Sequence, residues 1–336
     1  MEDDFEYIRR AMNTVLGGNA ITASEAKTLL DMQDPPAIQY LMACANRIRE
    51  TFLGKVIEFC AIVNAKSGKC SENCSFCAQS AHHRTGVNVY PMMSSDSMVE
   101  AARKARDQGA TRFSIVTSGK GVLKDRDLDT ILETVDEIVR GEGIDCCASL
   151  GLVDREDVRA LKQAGLTRYH HNLETSRSHF PNICTTHGFE ERVQVLRICR
   201  EEGLEVCSGG IIGLGETREQ RLELAYTLID CGVHSVPINI LNAIPGTPLE
   251  KEPPLSPLEV LKTISVYRFL MPGTEIRTCG GRENALRGLQ PLMFMAGCTG
   301  TMIGNYLTTE GRLPADDVRD VLDLGLYLRK PERDGK

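Results

Sequence analysis

The chain has 336 residues, of which 42% are hydrophobic and 25% are charged, and its formal net charge is −7. The acidic balance provides no basic surface for nucleic acid or an anionic membrane, so a small-molecule substrate is expected. The chain has thirteen cysteines but no apolar leader and no apolar span of ~20 residues. These features predict a cytoplasmic protein with free thiols rather than a secreted, disulfide-bonded one.

Short apolar runs alternate with longer amphipathic stretches along the chain, a pattern typical of βα units on a parallel sheet. The eight predicted strands are 56–63, 112–117, 145–150, 168–173, 205–212, 235–241, 275–280 and 298–303. The predicted helices between them include 97–108, 127–140, 155–164, 189–202, 218–230 and 257–269. Eight such units predict an α/β fold, a (β/α)8 TIM-type barrel.

The predicted barrel occupies residues 55–309 and leaves a segment at each end of the chain. Residues 1–54 are predicted to form N-terminal helices that pack outside the barrel. Residues 310–336 are predicted to be a short, charged C-terminal extension. A barrel can exceed the usual ~100–200 residues of a domain and still be one domain, so we expect a single domain.

The loop after the first predicted strand contains Cys70, Cys74 and Cys77, spaced C-x3-C-x2-C. A four-iron cluster normally takes four thiolates, so three cysteines leave one iron open to a substrate or cofactor. The spacing resembles the radical S-adenosylmethionine (SAM) signature, in which the open iron chelates SAM, and Phe76 fits the aromatic position of that signature. Barrel enzymes place their chemistry in the loops at the carboxyl ends of the strands, where these cysteines lie.

A structural zinc site is the alternative interpretation of this loop. Zinc prefers four closed ligands, often two C-x2-C pairs, and no second pair lies nearby. His82 or His83 could supply a fourth ligand. The spacing favours the iron–sulfur cluster.

Longer runs extend the resemblance to the biotin synthase family, in that family's order, from about residue 20 to about residue 310. The runs are KSGKCSENCSFCAQSAHHRTG at 66–86, HHNLETS at 170–176, VCSGGIIGLGET at 206–217, VPINILNAIPGTPL at 236–249, REN at 282–284 and FMAG at 294–297. Together these runs are more specific than the cysteine triplet alone.

The resemblance implies a sulfurtransferase that inserts sulfur between two unactivated carbons of dethiobiotin to give biotin. Because an aliphatic C–H bond has no useful acidity, the reaction requires a carbon radical. The family generates it with a 4Fe-4S cluster and SAM, through a 5′-deoxyadenosyl radical, and uses an auxiliary iron–sulfur cluster as sulfur donor. The resemblance also implies flavodoxin or ferredoxin as electron donor, help from Fe–S assembly proteins, and a homodimer.

The family's auxiliary cluster is held by residues that match Cys147, Cys207 and Arg277 and by a further cysteine where this chain has Ser114. One expected ligand is therefore missing, which puts an ordinary two-iron site in doubt. Cys279 follows Arg277 by two residues, so both side chains should point to the same side of the strand.

Four cysteines fall on the first, third, fifth and seventh predicted strands, and side chains in one barrel layer come from alternate strands. We expect Cys147, Cys207 and Cys279 to hold the auxiliary cluster, with Cys60 as fourth ligand. Soft thiolates favour a four-iron cluster over hard-ligand metals here, and a 4Fe-4S type is expected rather than a 2Fe-2S type. Arg277 and Cys279 are the predicted catalytic residues.

The resemblance also assigns residues to SAM and to the substrate. The SAM residues are Phe76, Thr117, Ser118, Gly119, Glu174, Arg192, Ile211 and Gly213, and the substrate residues are Asn172 and Asn239. Arg192 matches the arginine that pairs with the SAM carboxylate, with a bidentate geometry that lysine could not supply.

The remaining cysteines are interpreted as structural or are set aside. Cys44, Cys184, Cys199 and Cys231 lie in helical or loop patterns, Cys146 should face away from Cys147, and Cys298 is a less favoured ligand candidate. His170 and His171 are expected to face opposite sides of their strand and to act as hydrogen-bonding wall residues.

Two other functions remain open at this point. A different radical SAM enzyme on the same scaffold, such as a hydrogenase-cofactor maturase, would keep Cys70, Cys74 and Cys77 but not necessarily the other runs. A non-catalytic iron–sulfur protein would need neither an open iron nor Arg192. SAM binding would distinguish a radical SAM enzyme from such a non-catalytic iron–sulfur protein.

Overall fold

The computed structural model describes residues 3–122 and 127–330, and it has a closed parallel barrel at its centre. The strands are β1 (Val56–Lys66), β2 (Arg112–Thr117), β3 (Asp145–Ser149), β4 (Arg168–His170), β5 (Glu205–Cys207), β6 (Gly210–Ile212), β7 (Ser235–Ile240), β8 (Glu275–Thr278), β9 (Gly300–Met302) and β10 (Tyr327–Leu328). Each neighbour pair from β1 to β9 is parallel, and β9 pairs with β1 to close the barrel. The predicted (β/α)8 barrel is therefore confirmed.

Helices surround the barrel and precede it. They are α1 (Asp4–Leu16), α2 (Ala23–Asp31), α3 (Pro35–Leu53), α4 (Ser95–Asp107), α5 (Asp127–Gly141), α6 (Arg155–Gln163), α7 (Phe189–Glu201), α8 (Arg218–Asp230), α9 (Pro257–Leu270), α10 (Arg282–Leu286), α11 (Leu292–Met295) and α12 (Pro314–Asp323). Several begin at side-chain caps that satisfy the free N–H groups of the first turn. Thr22 and Thr217, for example, start α2 and α8 with reciprocal capping boxes.

The observed strands differ from the predicted ones mainly on one side of the barrel. The first strand continues to Lys66, the fourth ends at His170, and the fifth is interrupted between β5 and β6. The interruption lies at Gly209, where a Cβ atom would come within 1.9 Å of the Pro237 carbonyl oxygen. The chain approaches β7 so closely there that only glycine fits, and the regular ladder stops.

The two ends of the chain pack against the barrel at different places. Lys262 Nζ of α9 donates to the Met32 carbonyl oxygen at 2.9 Å, which fixes the N-terminal helices to α9. At the other end β10 pairs with the start of β1. Within α12, Asp317 accepts two hydrogen bonds of 2.8 Å from the buried Arg282 guanidinium. Residues 331–336 of the predicted extension lie outside the described residues.

A buried ionic layer lies where the barrel strands begin. Arg277 donates to Glu58 and to Glu275, at 2.7 Å each, and Arg168 donates to Glu275 at 2.8 Å. Because the strands are parallel, their carboxyl ends all open on the opposite side, where a cavity forms. Within residues 3–122 and 127–330, no helix is long and apolar enough to cross a membrane.

Candidate functional site

A cavity of ≈ 420 Å³ occupies the barrel interior and opens at the carboxyl ends of the strands. It brings together most of the residues that the sequence assigned to clusters, SAM and substrate. The predicted residues that line it are Cys60, Cys70, Cys74, Phe76, Cys77, Thr117, Ser118, Gly119, Cys147, Asn172, Glu174, Arg192, Cys207, Ile211, Asn239, Arg277 and Cys279. Gly213 does not line the cavity, because its N–H turns to the Glu216 carboxylate at 2.8 Å.

The cysteine loop at the mouth of the cavity is held by its own backbone. The Cys70 N–H donates to the Gln79 carbonyl oxygen at 3.0 Å, and the Cys77 N–H donates to that of Cys74 at 3.0 Å. Asn64 Nδ2 and the Gly68 N–H both donate to Gln79 Oε1, which ties the loop to β1. The loop thus presents its thiols from a fixed frame.

The two histidines considered as zinc ligands face backbone oxygens instead of the cysteine thiols. His82 Nε2 lies 2.9 Å from the Ser71 carbonyl oxygen, and His83 Nε2 lies 3.0 Å from that of Cys74. A zinc site built on the loop cysteines and either histidine would have to break these bonds. The arrangement favours the cluster interpretation.

A second group of side chains lies beside Cys74 and was not predicted. The Cys74 and Cys184 sulfur atoms and a His187 ring nitrogen all lie within 4.8 Å of one another. Cys184 was interpreted as structural, yet it contacts a signature cysteine. A hydrogen bond with Cys74 lowers the pKa of Cys184 to about 4, whereas the same contact raises the pKa of Cys74.

Arg192 is positioned by neighbours on three sides of its guanidinium. Its Nε donates to His187 Nε2 at 2.9 Å, and its Nη1 donates to the Asn172 carbonyl oxygen at 2.7 Å and to Glu174 Oε1 at 3.4 Å. Among the residues that the structure describes, Nη2 makes no hydrogen bond. Arg192 lines the cavity, so this nitrogen is available to a ligand carboxylate.

Glu174 has features that suit a ligand hydroxyl. Its backbone adopts φ +69°, a left-handed conformation that is uncommon outside glycine. Its carbonyl oxygen accepts from the Ile211 N–H at 2.7 Å, which locks this turn. Its Oε2 is buried without a partner in the described part of the chain, and such an orphaned acceptor favours a bound donor.

The other predicted ligand contacts are partly committed to the protein itself. Ser118 Oγ donates to the Gly68 carbonyl oxygen at 2.8 Å, which fastens the cysteine loop to the end of β2. Asn239 Nδ2 donates to the Gly210 carbonyl oxygen, and its Oδ1 accepts from the Gly280 N–H at 3.0 Å. Asn172 Oδ1 accepts from the Gly209 N–H at 3.2 Å. These residues shape the cavity wall.

Four thiols line the deep part of the cavity, on β1, β3 and β5 and directly after β8. They are Cys60, Cys147, Cys207 and Cys279. The Cys60 and Cys279 thiols are hydrogen-bonded to each other, which lowers the pKa of Cys60 to about 6. Cys207 lies close enough to Cys147 for their charges to interact. Cys146 and Cys298 are fully buried in the hydrophobic core instead.

Arg277 lies among these thiols but is occupied by carboxylates. Its Nε donates to Ser235 Oγ at 3.1 Å, and its Nη2 is shared by Glu58 and Glu275. Burial alone would lower the pKa of Arg277, but Cys60, Glu275 and Glu58 raise it well above its usual value. These contacts use Nε and Nη2, whereas Nη1 makes no hydrogen bond within residues 3–122 and 127–330.

Ser114 lies opposite Cys147 in the β2–β3 register and also lines the cavity. Its buried Oγ has no hydrogen-bond partner in residues 3–122 and 127–330. Nearby, His170 Nδ1 lies 3.3 Å from Cys207 Sγ. His171, the residue after β4, lines the cavity as well.

The donor chemistry of both thiol sets fits iron–sulfur clusters. Three loop cysteines at the cavity mouth and four barrel cysteines below them are separate groups of soft ligands. The orphaned Glu174 oxygen and the free Arg192 nitrogen lie at the same cavity and suit a polar ligand such as SAM.

Sequence reasoning missed Glu72, Cys184 and His187. The contacts between position 72 and positions 184–187 join parts of the chain that are more than a hundred residues apart. No local spacing signals such a contact. Glu72 alone had a weak signal, since it stands inside the cysteine signature.

Comparison with known families divides the chain into two matched regions. Residues 65–228 match the Radical SAM superfamily, and residues 237–327 match the Biotin and Thiamin Synthesis associated domain. The chain is 48% identical over 324 residues to the biotin synthase of Geobacter sulfurreducens, covering 96% of this chain and 98% of that protein. It is 48% identical over 314 residues to the biotin synthase of Pelotomaculum thermopropionicum, covering 94% and 97%.

Solved structures share the fold at much lower identity. Methylornithine synthase superposes with a TM-score of 0.84 and 20% identity, covering 96% of this chain and 97% of that one. The FeFe-hydrogenase maturase HydG from Carboxydothermus hydrogenoformans gives 0.81 and 18%, covering 97% and 80%. At these identities the likeness concerns the fold alone.

Proposed function

The chain belongs to the biotin synthase family of radical SAM enzymes, and from this premise we propose that it converts dethiobiotin to biotin by radical sulfur insertion. The observation that carries the proposal is the presence of two separate thiol sets on one cavity, one at its mouth and one deep in the barrel. When bound, a 4Fe-4S cluster with SAM supplies a hydrogen-abstracting radical, and an auxiliary cluster supplies sulfur.

We propose that Cys70, Cys74 and Cys77 hold the radical cluster. The backbone bonds of their loop keep these thiols at the cavity mouth. Arg192 offers its free nitrogen to the SAM carboxylate, while His187, Asn172 and Glu174 fix its guanidinium.

The other SAM and substrate assignments follow from their places on the same cavity. The orphaned Glu174 Oε2 accepts a ribose hydroxyl in this proposal. The remaining SAM residues are Phe76, Thr117, Ser118, Gly119 and Ile211, and the substrate residues are Asn172 and Asn239. Gly213 is a further proposed SAM residue by resemblance to the family, although its N–H donates to Glu216.

We propose that Cys60, Cys147, Cys207 and Cys279 hold the auxiliary cluster. Arg277 is committed to Glu58 and Glu275, so its cationic guanidinium serves better as a neighbouring charge than as a ligand. Four thiolates can hold either a 2Fe-2S or a 4Fe-4S cluster, and we propose the 4Fe-4S type. Cys279 then replaces the ligand that the better-described relatives have at the position of Ser114.

Several wider features of the function are proposals of the same kind. They are a cytoplasmic location, homodimerisation, flavodoxin or ferredoxin as electron donor, and maturation by Fe–S assembly proteins. The net charge of −7 favours a small substrate such as dethiobiotin over nucleic acid. We also propose that segments 1–54 and 310–336 support a barrel domain at 55–309.

The test is single-turnover chemistry on the anaerobically reconstituted enzyme with SAM, dethiobiotin and a reductant. We expect both 5′-deoxyadenosine and biotin, and biotin should carry a sulfur isotope that was introduced during reconstitution. A matched Arg192→Lys variant should bind SAM more weakly. Formation of 5′-deoxyadenosine without biotin would assign the chain to another radical SAM reaction. Absence of both from a cluster-loaded enzyme would refute radical SAM chemistry.

A further inference from the structure

The side chains beside Cys74 form a compact group outside the barrel thiols. Cys184 Sγ lies 3.3 Å from His187 Nδ1, and Cys74 Sγ completes a set within 4.8 Å. Ligand atoms of a tetrahedral zinc site lie about 3.5–3.8 Å apart, given Zn–S and Zn–N bonds of about 2.3 and 2.0 Å. All three residues are buried, at 7%, 4% and 8% exposure. The group therefore has nearly the dimensions of a mononuclear site.

Two neighbours of His187 fix the position of its ring proton. Arginine can only donate, so the bond from Arg192 Nε makes His187 Nε2 an acceptor and places the ring proton on Nδ1. Glu72 Oε2 lies 2.5 Å from this Nδ1. When a cation binds Nδ1, the ring proton moves to Nε2 and the Arg192 bond is released, so His187 binds as a neutral imidazole. The Glu72 carboxylate then compensates the charge of the cation.

We propose that Cys74, Cys184 and His187 form a binding site for a thiophilic divalent cation, such as Zn²⁺ or Fe²⁺, in the protein that lacks its radical cluster. Two soft sulfur ligands and one imidazole select such cations over Mg²⁺ or Ca²⁺. Glu72 supports the site from the side of His187. The site is independent of the barrel thiols Cys60, Cys147, Cys207 and Cys279.

The site and the radical cluster exclude each other because both require Cys74. A cation on Cys74, Cys184 and His187 withholds one of the three signature thiols from the cluster. Bound Zn²⁺ would therefore keep Cys74 from the radical cluster at the mouth of the cavity.

Titration of the cluster-free, reduced full-length chain with Co²⁺ tests the proposal. Thiolate-to-cobalt charge-transfer absorption reports the number of sulfur ligands. The titration uses a chain in which the four barrel cysteines are changed to alanine. We expect this chain to bind one Co²⁺ tightly, with two thiolate ligands. Cys184→Ala should halve the absorption, and Glu72→Gln should weaken binding about 10-fold or more.

The matched control is Cys77→Ala, which removes a signature thiol but leaves the proposed site whole. It should keep the cobalt spectrum and the affinity of the parent. The reverse pattern, with Cys77→Ala losing cobalt and Cys184→Ala keeping it, would place the ion among the loop cysteines and overturn the proposal.

A second measurement needs no substitution and so does not depend on how a variant folds. Zn²⁺ should protect Cys74 and Cys184 of the cluster-free wild-type chain from alkylation, as read by peptide mass spectrometry, and leave Cys70 and Cys77 reactive. Equal protection of Cys70, Cys74 and Cys77 without Cys184 would contradict the site. Neither experiment involves biotin formation, so the proposed function can fail without affecting this result.

Discussion

The Cys60 thiol on β1 lies against the Cys279 thiol directly after β8, and this contact lowers the pKa of Cys60 to about 6. Two sulfur atoms distant in sequence thus meet inside a cavity that Cys147 and Cys207 also line. Arg277, two residues before Cys279, turns its guanidinium to carboxylates. In our proposal the four thiols, more than the arginine, hold the auxiliary cluster.

Cys74→Ala should abolish 5′-deoxyadenosine formation and leave the auxiliary cluster intact, because the two clusters use different thiols. Chromatography of the quenched reaction measures the nucleoside, and iron analysis with Mössbauer spectroscopy follows the remaining cluster. Cys199→Ala, a buried cysteine of α7 away from the cavity, is the control and should retain SAM cleavage. Unchanged SAM cleavage in Cys74→Ala would contradict the radical-cluster assignment.

Ser114→Ala should retain iron at the auxiliary site, since the hydroxyl is not a ligand in this account. Its buried Oγ has no hydrogen-bond partner within the described ranges, so the change should alter stability by less than about 1 kcal/mol. Iron and sulfide analysis on Ser114→Ala and the parent, reconstituted side by side, makes the comparison. Loss of the auxiliary cluster spectrum would show that Ser114 contributes a ligand.

Asp317→Asn should lower the free energy of unfolding by about 3 kcal/mol, because it removes the nearer counter-charge of the buried Arg282 and leaves only Glu283, 3.6 Å away. Both side chains are only 1% exposed. Asp316→Asn changes a neighbouring carboxylate that pairs with Arg319 nearer the surface, and it should cost less than about 1 kcal/mol. Urea unfolding of the cluster-free chain measures both variants. Equal stability of the two would show that α12 does not depend on this ion pair.

Glu259 should make the stability depend on pH in acid. Burial would raise its pKa, but Arg218 and Lys262 lower it from 4.5 to about 2. The charged form is therefore stabilising above pH ~4.5, and this contribution is lost as the pH falls toward 2. Glu259→Gln should cost about 1–3 kcal/mol at pH 6, and the difference should shrink between pH 5 and pH 3.

Urea unfolding of the cluster-free chain across this pH range measures the effect. The exposed Glu133→Gln is the control and should follow the parent at every pH. A Glu259→Gln deficit that stays constant from pH 6 to pH 3 would contradict the pKa shift.

The barrel was predictable because its signals are local. The strand at 112–117 and the helix at 218–230 have the observed bounds, since alternating or helical apolar patterns and caps such as Thr217 mark them within a few residues. The break in the fifth strand was not predictable. It depends on the Pro237 carbonyl oxygen of a neighbouring strand, which no property of Gly209 itself announces.

The site was predictable to the extent that its residues share a strand period or a motif. The convergence of Cys60 with Cys279 followed from the rule of alternate strands, and the place of Cys74 followed from the signature. The contact of Cys74 with Cys184 could not be predicted, because it depends on how the segment before α7 folds over the cysteine loop. Side chains that meet through loops leave no periodic trace in sequence.

The central claim is that Cys279 is a ligand of the auxiliary cluster. Its most direct test measures iron content, sulfide content and biotin yield on one preparation of Cys279→Ser. The control is Cys298→Ser, which changes a core cysteine outside the cavity. Cys279→Ser should lose iron and sulfide equivalent to the auxiliary cluster alone, cleave SAM and form no biotin. Cys298→Ser should cost about 1–3 kcal/mol of stability through its buried hydroxyl and keep both clusters. Full iron with normal biotin formation in Cys279→Ser would contradict the account.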